Sequence, residues 1–160
     1  MRTSDHQPAT ARLDAAYLEG LFGGARLAII ACEPDGTLLA WNTAAAQLFA
    51  TLAPDSEGRA VGSLFSDRDR AVVEDHLRTC TRTREPVEFE LQLGARDDGP
   101  LSYAVWWTPI VGGAGELRGV SLWFRDITTR VRLKAAVEKR QRLGVLGSLA
   151  VVHEIGRAHV

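Results

Sequence analysis

The side chains able to do chemistry are few and scattered along the 160 residues. There are two cysteines, Cys32 and Cys80, and four histidines, His6, His76, His153 and His159. Two thiols cannot build a disulfide scaffold or a four-ligand zinc site, so they read as reduced, intracellular residues and no metal is expected. His76 sits in the charged run Glu74-Asp75-His76-Leu77-Arg78 and reads as a surface or half-buried structural residue. A second group of polar residues stands where helices must begin. Asn42 precedes an alanine-rich run, and its side-chain oxygen can accept the backbone N–H groups left free in a first helical turn. Asp126 and Thr128 stand where a strand must become a helix, and each can accept such N–H groups. A third group is cationic: Arg130, Arg132, Lys134, Lys139, Arg140 and Arg142. No aromatic interleaving or base-reading motif accompanies it, so a solvated coiled-coil face is expected rather than a nucleic-acid surface, with Glu138 placed to pair Arg142 at i+4.

Composition bounds what must position these residues. The chain is 46% hydrophobic and 24% charged with a net charge of −1, ordinary values for a globular protein that buries a core. Length allows one domain and some extra, and pervasive disorder is excluded. The charge is unevenly placed: residues 1–128 carry 12 basic and 18 acidic residues, residues 129–160 carry 7 basic and 2 acidic. That step, just after Asp126-Ile127-Thr128, marks a domain boundary. The apolar stretch Leu143 to Val152 is about half the ~20 residues a membrane span needs. No secretory pattern opens the chain, so a cytoplasmic setting is expected.

Hydrophobic periodicity supplies the elements. After a loose leader over 1–10, Leu13, Tyr17, Leu18 and Leu21 predict a helix over Ala11–Phe22, ended by Gly23-Gly24. Arg26–Glu33 reads as a strand covered on both faces, Pro34-Asp35-Gly36 as a turn, and Thr37–Trp41 as the returning strand. A short helix follows Asn42, residues 54–63 read as loop, and Ser66-Asp67 opens a helix through about Thr81. Val87–Leu93 alternates apolar and polar residues, which suits a strand at or near a sheet edge. Strands over Leu101–Ile110 and Val120–Arg125 follow, then a long helix from Thr128. This order of elements is α+β.

The Asp35-Gly36 turn, the Trp41-Asn42 pair leading an alanine-rich helix, and three closing strands that end in Asp126-Ile127-Thr128 together resemble a PAS domain over roughly residues 15–128. Thr43 stands where that family usually has proline. The resemblance implies a five-stranded antiparallel sheet with helices on one face, used to sense a ligand, light or redox state or to dimerise. It also implies that the Asp126-Ile127-Thr128 junction links the domain to a signalling helix. His76 and Cys80 lack the surroundings of a haem ligand or a flavin-adduct cysteine in such domains, so neither haem nor flavin is expected. If the wholly apolar faces of the last strands meet the helices, Ile29, Phe89, Tyr103, Trp107 and Phe124 line the interior. Those bulky rings leave little room for a cofactor. Trp106 and Trp123 then lie on the outer face, needing cover from the N-terminal helix or a second subunit. The alternative is that all four tryptophans are ordinary core.

The tail carries a second resemblance. Leu146-Gly147-Ser148-Leu149-Ala150 is similar to the start of the dimerisation helix of sensor histidine kinases. His153-Glu154 is similar to their phospho-acceptor pair, in which the His ring nitrogen takes the phosphoryl group and the acid its proton. Here two fewer residues separate Leu-Ala from the His. The seam Leu133, Val137, Leu143, Leu146, Leu149 and Ala150 suits a dimer interrupted near Arg140. Glu154–Val160 looks like a translated sequencing adapter and is set apart from fold reasoning. The domain division is therefore 1–10 leader, 11–128 PAS domain with its N-terminal cap helix, 129–153 signalling helix and 154–160 adapter. The expected function is sensory: a PAS domain that passes a signal through a dimeric helix to a kinase output, which then acts on a response regulator. The chain itself is expected to be catalytically inert. The alternative is a binding and dimerisation module, stand-alone or fused ahead of a diguanylate cyclase.

Overall fold

The chain reverses at Pro34-Asp35-Gly36. Gly36 has φ +90°, and a Cβ there would lie 2.9 Å from Leu77 Cδ2, so the turn and the close helix both require glycine. The Asp35 carboxylate accepts the Thr37 N–H at 2.9 Å and fixes the turn. On either side run the antiparallel strands β1 (Ala28–Cys32) and β2 (Leu38–Trp41). The structure is a computed structural model; it describes residues 15–157, without the side chains of residues 15, 17–19, 95 and 146–157. The expected leader over 1–10, Leu13, the side chains of Tyr17, Leu18, Leu146, Leu149, Ala150 and His153, and Ala158–Val160 lie outside that description.

The remaining elements are α1 (Ala15–Gly24), α2 (Thr43–Leu48), α3 (Asp67–Thr83), β3 (Val87–Arg96), β4 (Gly99–Val111), β5 (Leu117–Asp126) and α4 (Thr128–Arg157). The five strands form one sheet in the order β2-β1-β5-β4-β3. This is the expected α+β fold, and β3 lies at the edge its alternation predicted. Several boundaries differ from expectation: β1 and β2 are shorter than their apolar runs, and β3, β4 and β5 run longer. Gly23 and Gly24 keep ordinary φ and extend α1 to Gly24, because glycine stops a helix only where it turns left-handed. Two short 3₁₀ turns, Pro54–Ser56 and Val61–Leu64, occupy the expected loop, and fully buried Ser56 ties down the first. Its hydroxyl accepts the Ala53 N–H at 3.0 Å and donates to the Thr51 carbonyl at 3.3 Å. Helix α3 runs two residues past Thr81, ending at left-handed Arg84 (φ +57°).

Two compact units divide the chain, one of residues up to Phe89 with Val105–Arg125, the other of Glu90–Ala104 with the chain from Asp126 onward. The core of the first unit joins Ile30 and Leu38 to Val73 of α3 and to Trp107, Leu122 and Phe124 of the late strands, all at most 1% exposed. Burial of this kind stabilises by about 25 cal/mol per Å² of apolar surface. The Trp107 indole N–H donates to the Val73 carbonyl at 3.2 Å, pinning α3 against β4. In the second unit Leu91, Tyr103, Ala104, Ile127 and Thr128 are buried.

Candidate functional site

The second unit contains the point where the sheet becomes a helix. Strand β5 ends at Asp126 and α4 starts at Thr128, so Ile127 alone spans the change of backbone geometry. Its side chain is 5% exposed. The Asp126 carboxylate accepts the Thr128 N–H at 2.9 Å, satisfying one donor that a new helix leaves free. The Ile127 carbonyl accepts the Val131 N–H at 2.9 Å and begins the helical ladder. The hydrogen bonds to Thr128 hold the Asp126 carboxyl below its ordinary 3.8, against the opposing effect of burial and aided by the charges of Arg96 and Arg132.

Ser102 of β4 is the partner of this junction. Its N–H donates to the Thr128 hydroxyl at 2.9 Å, and its carbonyl accepts the Ile127 N–H at 2.9 Å. The Thr128 hydroxyl in turn donates to the Ser102 carbonyl at 3.4 Å. Both backbone groups of one buried strand residue are thus committed to the junction, so α4 cannot leave its place without unpairing them.

Two ion pairs extend the hold to the first turns of α4. Arg130 meets Glu90 of β3 at 3.3 Å. Arg132 pairs with Asp98 in the β3–β4 turn and also donates to the Pro100 carbonyl at 3.4 Å. Arg132 depresses the Asp98 carboxyl chiefly through its hydrogen bond. Gly99, at φ +121°, allows the tight reversal that presents Asp98. Both arginines keep contact with solvent, as the expected face does, and in addition meet strand and turn carboxylates 40 and 34 residues away in sequence. The expected Glu138–Arg142 ion pair does not form. Beyond these turns Leu133, Val137 and Leu143 are 55–61% exposed.

Of the residues expected to line the interior, Trp107 and Phe124 are buried in the first unit, whereas Ile29 lies on the other face of β1 from Ile30. Ile29 pairs in register with Trp123, whereas Ala28 pairs with Phe124 and Ile30 with Leu122. Residues directly opposite in a sheet share a face, so Ile29 belongs to the Trp123 side and Ile30 to the interior. Phe124 is met by Phe49 edge-on at 5.2 Å and by Phe65 at 6.3 Å, with Phe49 and Phe65 at 5.3 Å from each other. Neither Phe49 nor Phe65 stands out in the sequence, since each lies at the end of an element rather than within its periodicity. Phe89 is half-buried and stacks on the His76 ring at 4.1 Å. Tyr103, in the second unit, is 8% exposed, and burial together with the Asp126 charge pushes its hydroxyl pKa up. Trp106 is half-buried beneath the Arg125 guanidinium, 5.3 Å from its ring. Trp123 is half-buried too, its indole N–H donating to the Ser121 hydroxyl at 2.7 Å.

Asn42 does more than cap α2. Its oxygen accepts the Ala45 N–H and the Ile29 N–H, each at 3.0 Å, and its amide donates to the Leu27 carbonyl at 2.7 Å. One buried side chain therefore fixes helix and strand together. Cys32 and Cys80 are fully buried, and burial pushes both thiols up, Cys32 to about 12 with Asp35 adding to the shift. Such thiols are poor nucleophiles. Among the described residues no group of three or more His, Cys, Asp or Glu could hold a metal ion. No helix there is long and apolar enough to cross a membrane.

A family profile described as PAS fold matches residues 23–132. No curated protein sequence matches the chain. Among solved structures, the PAS domain of a Colwellia psychrerythraea protein aligns with a TM-score of 0.59 at 19% identity, covering 71% of this chain and 97% of that one. The PAS domain of BvgS from Bordetella pertussis aligns with a TM-score of 0.60 at 20% identity, covering 79% and 96%. The Vibrio cholerae VqmA dimer, solved in the absence of target DNA, aligns with a TM-score of 0.61 at 19% identity, covering 73% and 53%.

Proposed function

The chain belongs to the PAS-fold family, and on that premise we propose that it is the sensory module of a bacterial signalling protein. Its message leaves through Asp126-Ile127-Thr128 into α4. One observation carries this reading: Ile127 and Thr128, at the root of α4, hold both backbone groups of Ser102, so strain in β4 and the position of the helix start are linked. A signal that favours one arrangement of the sheet shifts the equilibrium of the helix with it.

We propose a homodimer through α4 and the outer sheet face, and a histidine-kinase output beyond α4. Exposed Leu133, Val137 and Leu143 supply the apolar surface for the first contact, half-buried Trp106 and Trp123 for the second. In this reading His153 is the candidate phospho-acceptor and a response regulator the downstream partner. The encoding DNA beyond the Val152 codon decides between outputs. An ATP-binding kinase domain in frame supports the histidine-kinase reading, and a diguanylate cyclase in its place supports the alternative.

The module carries no resident chromophore in this reading, because Phe49, Phe65 and Phe124 fill the space beside the inner face of β5. Purified protein incubated with haem and with flavin is expected to show no Soret or flavin band after desalting. Either band, retained in proportion to protein, contradicts this.

A further inference from the structure

We propose that the Arg130–Glu90 and Arg132–Asp98 ion pairs form a two-point ionic latch that restrains rotation of the α4 root. Residues two apart on a helix point about 200° away from each other. Arg130 and Arg132 therefore reach out from opposite sides of α4, one to the middle of β3 and one to the β3–β4 turn. A single grip is a pivot, whereas two grips on opposite sides resist rotation in both senses. The Pro100 carbonyl adds a second hold on Arg132 that needs no carboxylate. The hydrogen bond from Arg132 holds the Asp98 carboxyl below its ordinary value, which favours the charged partner on that side of the latch. Leu133 and Val137 stand on the next turns, so the same rotation re-aims the exposed apolar residues of the helix. Partly exposed pairs are screened by salt, which makes the restraint adjustable by ionic strength or by any ligand that competes for either arginine.

The latch rests on the junction reading for its consequence, not for its existence. Amide exchange on the full chain tests it without any output domain. In low salt, Glu90→Gln, Arg130→Gln, Asp98→Asn and Arg132→Gln are each expected to speed exchange of the residue 131–135 amides about two- to fivefold. The double variant of each pair should exchange no faster than its singles. Glu90→Lys combined with Arg130→Glu should restore slow exchange, and high salt should bring the native protein to the level of the variants. The latch is overturned if the singles exchange like the native protein, if effects within a pair simply add, or if β1 and β5 amides accelerate equally. Either result leaves the routing through Asp126 to be judged separately, by whether Asp126→Ala alters the stem.

Discussion

Asp126 couples charge to backbone geometry at the end of β5. Its carboxyl titrates below 3.8 in the folded chain, because ionised oxygen accepts from Thr128. The folded state therefore binds this proton less readily than the unfolded state does. The associated stability is fully present above the ordinary carboxylate value and is lost as pH falls through the lower folded value. Asp126→Asn keeps an acceptor oxygen but has no charge to lose. The pH profile of α4 helicity is expected to be flatter below pH 3.8 in this variant than in the native chain, as followed by circular dichroism. Identical profiles would show that the charge has no part in holding the helix. Residues of this kind differ in how much they disclose by type alone. Asn42 is legible as a cap, since an Asn before an alanine-rich run has a local task. Its bonds to Ile29 and Leu27 are not legible, because they depend on a strand 13 and 15 residues away. Ser102 gives no sign at all: a serine in an apolar strand becomes informative only when the junction lies against it.

The elements follow their periodicity closely because burial enforces it. The β3 alternation places a strand at the sheet edge, and the Pro34-Asp35-Gly36 chemistry places the first turn. The face of Ile29 is not legible because β1 is apolar at both parities, which leaves pattern alone unable to choose, whereas pairing with β5 fixes the choice. The partners of Arg130 and Arg132 are hidden from pattern for a similar reason, since they come from β3 and the β3–β4 turn. Thr128 belongs at this scale, because its hydroxyl joins β4 to α4. Thr128→Val keeps the shape but leaves the Ser102 N–H without an acceptor, at a cost of about 1–3 kcal/mol. Thermal unfolding should report that loss. Amide exchange should place it at Ser102 and the first turn of α4 rather than in β1. Loss spread evenly over the sheet would mean that the hydroxyl supports the whole fold and not the junction.

At the scale of the whole molecule, the sequence up to residue 128 is acidic and the sequence after it basic, and Leu133, Val137 and Leu143 of α4 are exposed. Light scattering is expected to give a dimer for the full chain, and Leu133→Glu with Val137→Glu is expected to weaken it. A monomer both for the full chain and for a version ending at Thr128 would contradict the proposed assembly. The central claim, that α4 responds to the sheet through a separable junction, is tested most directly by Asp126→Ala in the full chain. A helix cap is typically worth ~1 kcal/mol, enough to loosen the start of α4 but not to unfold a domain. Tryptophan emission should report an intact body, since Trp107 is anchored to Val73 and not to the junction. Far-ultraviolet circular dichroism should show lost helix, and light scattering a weaker dimer. The claim is contradicted if Asp126→Ala collapses the tryptophan signal together with the helix, or if it leaves helix and dimer unchanged.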